Sequence, residues 1–304
     1  MNFGKCLFIY NPISGPDSKR IPFEVIKSKL ETSKIEFLPI VTQYAGHATD
    51  YLRENHKKFD TLICSGGDGS INEIINAIPE ADYPALLLIP QGTGNDLNKS
   101  LYSEVAHKIT KILEFDNYKR TVLIDVGKVS GNCGEKTLFT RKFCNAVGIG
   151  MDSLIAKHVS ELKKRNNFSY IIALLNALFE YKPMKCSIDA LNLSYNDFYT
   201  LISVQNGKTT GGGFYLAPDA IMDDSKLDVC LIENISKIKV IFNFIKVLQN
   251  KTKDINEIKL MQSDSIKVKL EKPFYVHIDG EMAPGLVDDV SFSIIKERLK
   301  FHLL

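Results

Sequence analysis

No two cysteines in this sequence are spaced as CxxC, and its six histidines form no metal-spaced cluster. Cys6, Cys64, Cys133, Cys144, Cys186 and Cys230 lie scattered, several inside apolar runs such as KCLFIY and LICSGG. They read as buried free thiols of a reducing cytosol, not as a disulfide framework or a zinc site. No apolar run reaches the ~20 residues that span a bilayer. The longest, FSYIIALLNALFEY at 168–181, reads as a buried or surface-docked helix. The opening MNFGKCLFIYNP lacks a long apolar core, so no signal peptide is expected. No strong charge excess exists either: the net charge is +2, too small to imply nucleic acid. Residues 1–125 carry 14 basic and 16 acidic side chains and the remainder 24 and 20, giving −2 and +4. The second half therefore permits an anionic surface as partner without demanding one. There is no internal repeat and no low-complexity linker.

The standard phosphate fingerprints are absent too. NGKTTGGG (206–213) lacks the first P-loop glycine, because position 202 is Ile202. GTGNDL and GIGMDS carry Leu97 and Ser153 where a dinucleotide fingerprint has its third glycine.

What is present is a rhythm. Strand patterns at 5–10, 35–41, 61–65 and 85–89 alternate with helix patterns near 21–33, 46–57 and 71–78. This alternation predicts a parallel sheet with helices on both faces. After about residue 120 the chain turns strand-rich: RTVLIDVGKV, LFTRKFCNAVGIG, MKCSIDALNLSY, FYTLISVQNG, KLDVCLIE, SIKVKLE and FYVHIDGE. Helices are expected only near 152–162, 168–181 and 237–250. The expectation is an α/β domain at 1–122 followed by a mainly antiparallel, sandwich- or barrel-like domain at 123–304.

Three early turns each follow a strand: NPISG (11–15), GGDGS (66–70) and PQGTGND (90–96). Glycines and helix N-termini present backbone N–H groups that attract phosphate, and open α/β sheets bind ligands at such strand ends. In the second half, HIDGEMAPG sets Asp279 and Glu281 two apart around a glycine. A carboxylate there could accept the proton of an attacking hydroxyl in phosphoryl transfer.

Taken in order, these segments resemble the diacylglycerol kinase catalytic-domain family, particularly the bacterial soluble lipid kinases, within a superfamily that includes sphingosine kinases, NAD kinases and phosphofructokinases. SGGDGSINEIINAI resembles the GGDGT-x-x-E signature, with Ser70 in place of threonine. IPQGTGNDLNKSL, FCNAVGIGMDSLIA, VQNGKTTGGGF, APDAIMDDSKLDV and VHIDGE continue the match over nearly the whole chain. The resemblance implies ATP-dependent phosphorylation of a lipid hydroxyl by a nucleotide-binding α/β domain and a mainly β lipid-binding domain, with the active site in the cleft between. It implies a nucleotide site made of Asn11, Pro12, Ser14 and Gly15, then Thr42, then Gly66, Gly67, Asp68, Gly69, Ser70, Asn72 and Glu73, then Gly92, Thr93, Gly94, Asn95 and Asp96. Asp68 would organise magnesium or a polar network beside the phosphates, since a bare carboxylate would repel them. The general base falls in the DGE segment. Asp279 and Glu281 are both candidates, with Asp279 taken as nearer the chemistry and Glu281 as holding it or a bridging water.

The resemblance also implies a structural Mg2+ held by Asp224 with the carbonyls of Ile221 and Lys226, although Ser225-Lys226 replaces the family's glycine and apolar residue. Lys163-Lys164-Arg165, ahead of the apolar 168–181 segment, could be a docking edge for anionic membrane. The expected protein is a cytosolic kinase using ATP and Mg2+, transiently at the inner face of the membrane, not bound to nucleic acid, with a homodimer among its allowed states. A kinase of a non-lipid alcohol, as in the NAD kinase branch, and a non-catalytic lipid- or nucleotide-binding regulator are the alternatives.

Overall fold

The structure, a computed structural model, describes residues 2–102, 109–133, 137–162, 169–191 and 193–304. Its chain divides into two compact units, Met1–Asp125 with Lys296–Leu304, and Val126–Ile295.

In the first unit, strands β1 (Cys6–Tyr10), β2 (Phe37–Val41), β3 (Thr61–Gly66) and β4 (Ala85–Pro90) pair in parallel in the order β4-β3-β1-β2. Every residue of β1, β3 and β4 is buried, as expected of parallel strands covered on both faces. Helices α1 (Phe23–Thr32), α2 (His47–Asn55), α3 (Asp68–Ala77), α4 (Asp96–Leu101) and α5 (Ile109–Ile112) complete the alternation. Phe8, Ile26, Leu30, Ile63, Leu87, Phe115 and Tyr118 form the core.

The C-terminus returns to this unit. Phe301 pairs in parallel with Leu86, and the His302 ring lies 3.3 Å from Thr61 Oγ1 and 3.0 Å from Thr121 Oγ1. The sequence-based division at 122/123, with the second domain running to residue 304, did not include this return. No local pattern announces a pairing across more than 200 residues.

The second unit is built on the later part of β5 (Arg120–Cys133), β6 (Thr137–Phe143), β7 (Ala146–Gly150), β8 (Met184–Ala190), β9 (Leu193–Gln205), β10 (Leu227–Glu233), β11 (Ile258–Ser263), β12 (Ser265–Phe274), β13 (Val276–Ile278), β14 (Glu281–Met282) and the first part of β15 (Val287–Leu303). The pairs β5–β6, β7–β9, β7–β13, β8–β9, β8–β12, β9–β10, β10–β11, β12–β15 and β13–β14 are antiparallel. One core gathers Phe143, Val147, Ile188, Val204, Val268 and Phe292. A second gathers Met151, Leu174, Leu178, Leu201, Cys230 and Val240. The second draws on helices α6 (Met151–Glu161), α7 (Ser169–Glu180) and α8 (Lys237–Leu248).

The α/β expectation with a mainly antiparallel second half is borne out, with local differences. MKCSIDALNLSY is not one strand: it splits into β8 and the start of β9, and the chain turns near Leu191, whose φ is +54°. LFTRKFCNAVGIG also divides, into β6 and β7 around Cys144-Asn145. The basic patch 163–165 and the first residue of the 168–181 segment lie outside the described residues. All six cysteines are free, and all but the half-buried Cys133 are buried. Burial pushes the Cys64 thiol up to about 12, so it has little thiolate character. Among the described residues no helix is long and apolar enough to cross a membrane.

Candidate active site

The three turns of the first unit are tied to one another. Asn11 follows β1, its N–H donates to Ser65 O at 2.9 Å, and its side-chain amide donates to Ser70 Oγ at 3.0 Å. Ser14 N–H donates back to Asn11 O, while Arg20 holds the carbonyls of Ser14 and Gly15 at 3.0 Å each. Thr42, just past β2, donates its N–H to Tyr10 O. Gln91 follows β4 and donates its side-chain amide to Ser65 Oγ and its N–H to Gly66 O. Gly67 and Gly92 then meet backbone to backbone: a Cβ on Gly67 would lie 2.8 Å from Gly92 Cα. Only glycine permits that approach, which explains two of the clustered glycines. Pro12, Gly69, Ser70, Thr93, Gly94 and Asn95 line these turns half-buried. Asn95 adopts φ +52° and closes its turn by accepting from Gly92 N–H at 2.8 Å.

Asp68 stands at the start of α3, and its two carboxylate oxygens accept the N–H groups of Asp96 and Leu97 at 3.1 and 3.0 Å. These are the first amides of α4, so Asp68 acts as a cap contributed from another helix. The polar-network half of the sequence expectation thus has a geometric counterpart. Asp96 is buried beside Lys99, at 3.6 Å. Asn72 is buried in α3 and accepts from Asn76 at 3.2 Å, and Glu73 reaches Gly46 N–H at 3.2 Å. The Asn72 bond lies within α3, and the Glu73 bond ties α3 to the start of α2.

In the second unit, Asp279 sits at φ +48° after β13. Its Oδ2 accepts from Cys144 N–H at 2.9 Å, and its Oδ1 accepts from Asn145 and Ala146 N–H, each at 2.9 Å. These bonds take the amides of Cys144 and Asn145, between β6 and β7, and of Ala146 at the start of β7, and are the physical reason the strand breaks there. Glu281, opening β14, is half-exposed, with Arg141 Nη2 at 3.4 Å. Behind the turn, His277 Nδ1 accepts from Gly280 N–H at 3.3 Å, and its Nε2 lies 2.9 Å from Asp152 Oδ2. Gly148 makes room, since a Cβ there would collide with the Asp152 carboxylate and the His277 ring.

Asp224 accepts from Lys226 N–H at 3.0 Å and from Gln262 at 3.1 Å, and Ser225 between them has φ +63°. The same Gln262 amide reaches Asp228 at 3.2 Å. Asp228 Oδ2 is buried with no hydrogen-bond partner among the described residues. Burial pushes the Asp228 carboxyl up to about 6, with the Asp224 and Asp219 charges acting in the same sense. An orphaned buried carboxylate oxygen beside a second carboxylate suits a hard cation. Among the described residues no group of three His, Cys, Asp or Glu side chains is placed to hold a metal.

Residues 5–129 match the diacylglycerol kinase catalytic domain, and residues 145–295 match the YegS C-terminal NAD kinase beta sandwich-like domain. A probable lipid kinase YegS of Salmonella arizonae is 30% identical over 75% of this chain and 74% of its own. The chain belongs to the diacylglycerol kinase catalytic-domain family. Among solved structures, a diacylglycerol kinase from Bacillus anthracis has the same fold, with a TM-score of 0.73 at 22% identity, covering 100% of this chain and 98% of that one. An NAD kinase from Archaeoglobus fulgidus, in complex with ATP, gives 0.53 at 13% identity over 98% and 93%. Within this lipid-kinase family member, sequence reasoning passed over Gln91, Arg141, Asp152, His277 and Asp228. His277 stands two residues before Asp279, and Asp152 lies within the quoted GIGMDS. Gln91 and Asp228 likewise lie inside quoted motifs, but none was singled out, and Arg141 carries no local signal.

Proposed function

We propose that this protein transfers the γ-phosphoryl group of ATP to the hydroxyl of a lipid. The observation that carries the reading is the backbone approach of Gly67 and Gly92, with Asn11, Ser14 and Ser70 around it, at three strand ends of one parallel sheet. Bare backbone at strand ends and the start of α3 suits a polyphosphate. The fold likeness to an NAD kinase solved with ATP supports that nucleotide, and family membership supports a lipid acceptor. Asp68 holds the Asn95–Leu97 backbone in place through its bonds to α4. Mg2+ accompanying ATP would supply charge neutralisation at the phosphates. A second Mg2+ would be held by Asp224, with Asp228 beside it and the carbonyls of Ile221 and Lys226.

Glu281 takes the acceptor proton. Three backbone amides already occupy the Asp279 carboxylate, whereas Glu281 is half-exposed and carries one long ion pair to Arg141. The acceptor oxygen bonds to the γ-phosphorus, the bond from that phosphorus to the ADP oxygen breaks, and the hydroxyl proton passes to Glu281. Asp279 shapes the turn. This reverses the sequence-based preference between the two. The protein would work at the cytoplasmic face of the membrane.

Incubation with labelled ATP, Mg2+ and a total lipid extract, followed by mass spectrometry of both phases, tests the reading. Label in a lipid product is expected. Label only in a water-soluble product would move the acceptor to a non-lipid alcohol, and no transfer at all would leave a binding protein.

A further inference from the structure

Helix α8 turns an apolar stripe outward. Ile238 and Phe242 are 68% and 64% exposed, and Ile241, Ile245 and Leu248 are exposed with them. At about 100° per residue these five fall within an arc of roughly 120°. Val240, Asn243 and Val247 are buried on the opposite side, and Phe244 packs on Phe214 at 4.4 Å between ring centroids. The helix is well ended without using its outer face. Ser236 caps it by accepting from Lys239 N–H. Asn250, at φ +58°, closes it with Asn250 N–H to Val247 O and Lys251 N–H to Lys246 O, a Schellman ending. The helix ends therefore make no use of the outward stripe, whose side chains stay 40–68% exposed.

Charge identifies what covers it. Residues 234–253 contain five lysines, at 237, 239, 246, 251 and 253, and no carboxylate. Lys237 borders one edge of the stripe and Lys246 the other, both exposed. Lys239 and Lys253 are answered by Glu257 and Asp219 from neighbouring segments. We infer that α8 is a membrane-docking helix that lies in the interface of an anionic bilayer, its stripe among the acyl chains and its lysines at the headgroups. A second copy of the chain fits poorly, because pairing two such stripes sets lysine edges against each other with no acidic residue in 234–253 to neutralise them. Helix α7 also exposes Ile171, Ile172, Leu175 and Phe179, but it carries no basic residue. The choice of a lipid surface rests on the lipid-kinase reading, and the vesicle-binding measurement that tests it involves neither ATP nor acceptor turnover.

The full-length protein is sedimented with vesicles of phosphatidylglycerol and phosphatidylcholine, and with phosphatidylcholine alone. Binding to the anionic vesicles that weakens with salt is expected. Ile238→Ser and Phe242→Ser should each weaken it about tenfold, and Lys237→Gln and Lys246→Gln about fivefold each, with circular dichroism unchanged. Turnover of a detergent-dispersed lipid should survive all four. Several results would overturn the inference: no binding by the parent protein, equal binding by the four variants, or loss on Phe179→Ser alone. Self-association abolished by Phe242→Ser, in place of vesicle binding, would assign the stripe to a second copy. Absence of turnover in detergent would instead count against the kinase reading and leave the docking result standing.

Discussion

Asp279→Asn and Glu281→Gln should fail in different ways, and the difference can be worked out from the bonds. Asparagine tolerates the left-handed φ of +48° at position 279. Its amide oxygen can keep the bonds from Asn145 and Ala146 N–H, but its NH2 then faces Cys144 N–H, donor against donor. Hydrogen bonds to a charged group contribute about 1.5–3 kcal/mol each. Losing one outright and the charge from the other two should cost about 3 kcal/mol. At about 2–4 °C per kcal/mol for a unit of this size, melting should fall by roughly 6–12 °C. Glu281→Gln gives up one half-exposed ion pair to Arg141, worth at most about 1 kcal/mol, so melting should barely move. Its kcat should drop ~10²- to 10⁴-fold, the usual loss when a general base is neutralised. Calorimetry and single-turnover phosphorylation on both variants, with ATP affinity measured separately, make the comparison. Wild-type melting with lost turnover in Asp279→Asn, together with normal turnover in Glu281→Gln, would exchange the two roles. Wild-type rates in both would remove the DGE segment from the chemistry.

Asp68→Ala should lower turnover by at least ~10² and, by uncapping α4, stability by about 1–2 kcal/mol. Near-normal activity would take Asp68 out of the mechanism. Mg2+ should raise the melting temperature of the parent protein more than that of Asp224→Ala; identical melting of both with and without Mg2+ would leave an ordinary acidic turn. Burial, with the Lys300 charge, holds the His302 ring below the usual imidazole range. The unfolded chain then binds that proton more readily, so stability is intact above about pH 6.5 and falls as pH drops through that value. His302→Gln should flatten this part of the profile in pH-dependent denaturation, and an unchanged slope would show that His302 does not set it.

The first unit was legible because each strand is a short apolar run closed by turn residues, and each helix keeps a regular apolar spacing. CLFIY, TLICSG and ALLLIP are buried from end to end, so composition alone marks them. The second unit was less legible. Its strand boundaries depend on partners far away in sequence: β6 and β7 separate because a carboxylate more than 130 residues later takes the intervening amides. Likewise β15 carries the C-terminus back to the first unit, where Phe301 meets Leu86.

The same distance limit decides the candidate site. Sequence motifs picked out Asp68 and Asp279 because their neighbours are glycines, and glycines mark places where backbone must come close or turn sharply. A carboxylate in such a place has backbone N–H groups within reach, and both aspartates use them: Asp68 on Asp96 and Leu97, Asp279 on Cys144, Asn145 and Ala146. A carboxylate satisfied in this way holds a loop in shape. A proton acceptor needs the opposite, an oxygen left accessible to the substrate, and in the DGE turn that description fits Glu281. On the proposed mechanism the motif would locate the chemistry through the residue that builds the turn, and the proton acceptor proposed there is the carboxylate whose oxygens the backbone has left open.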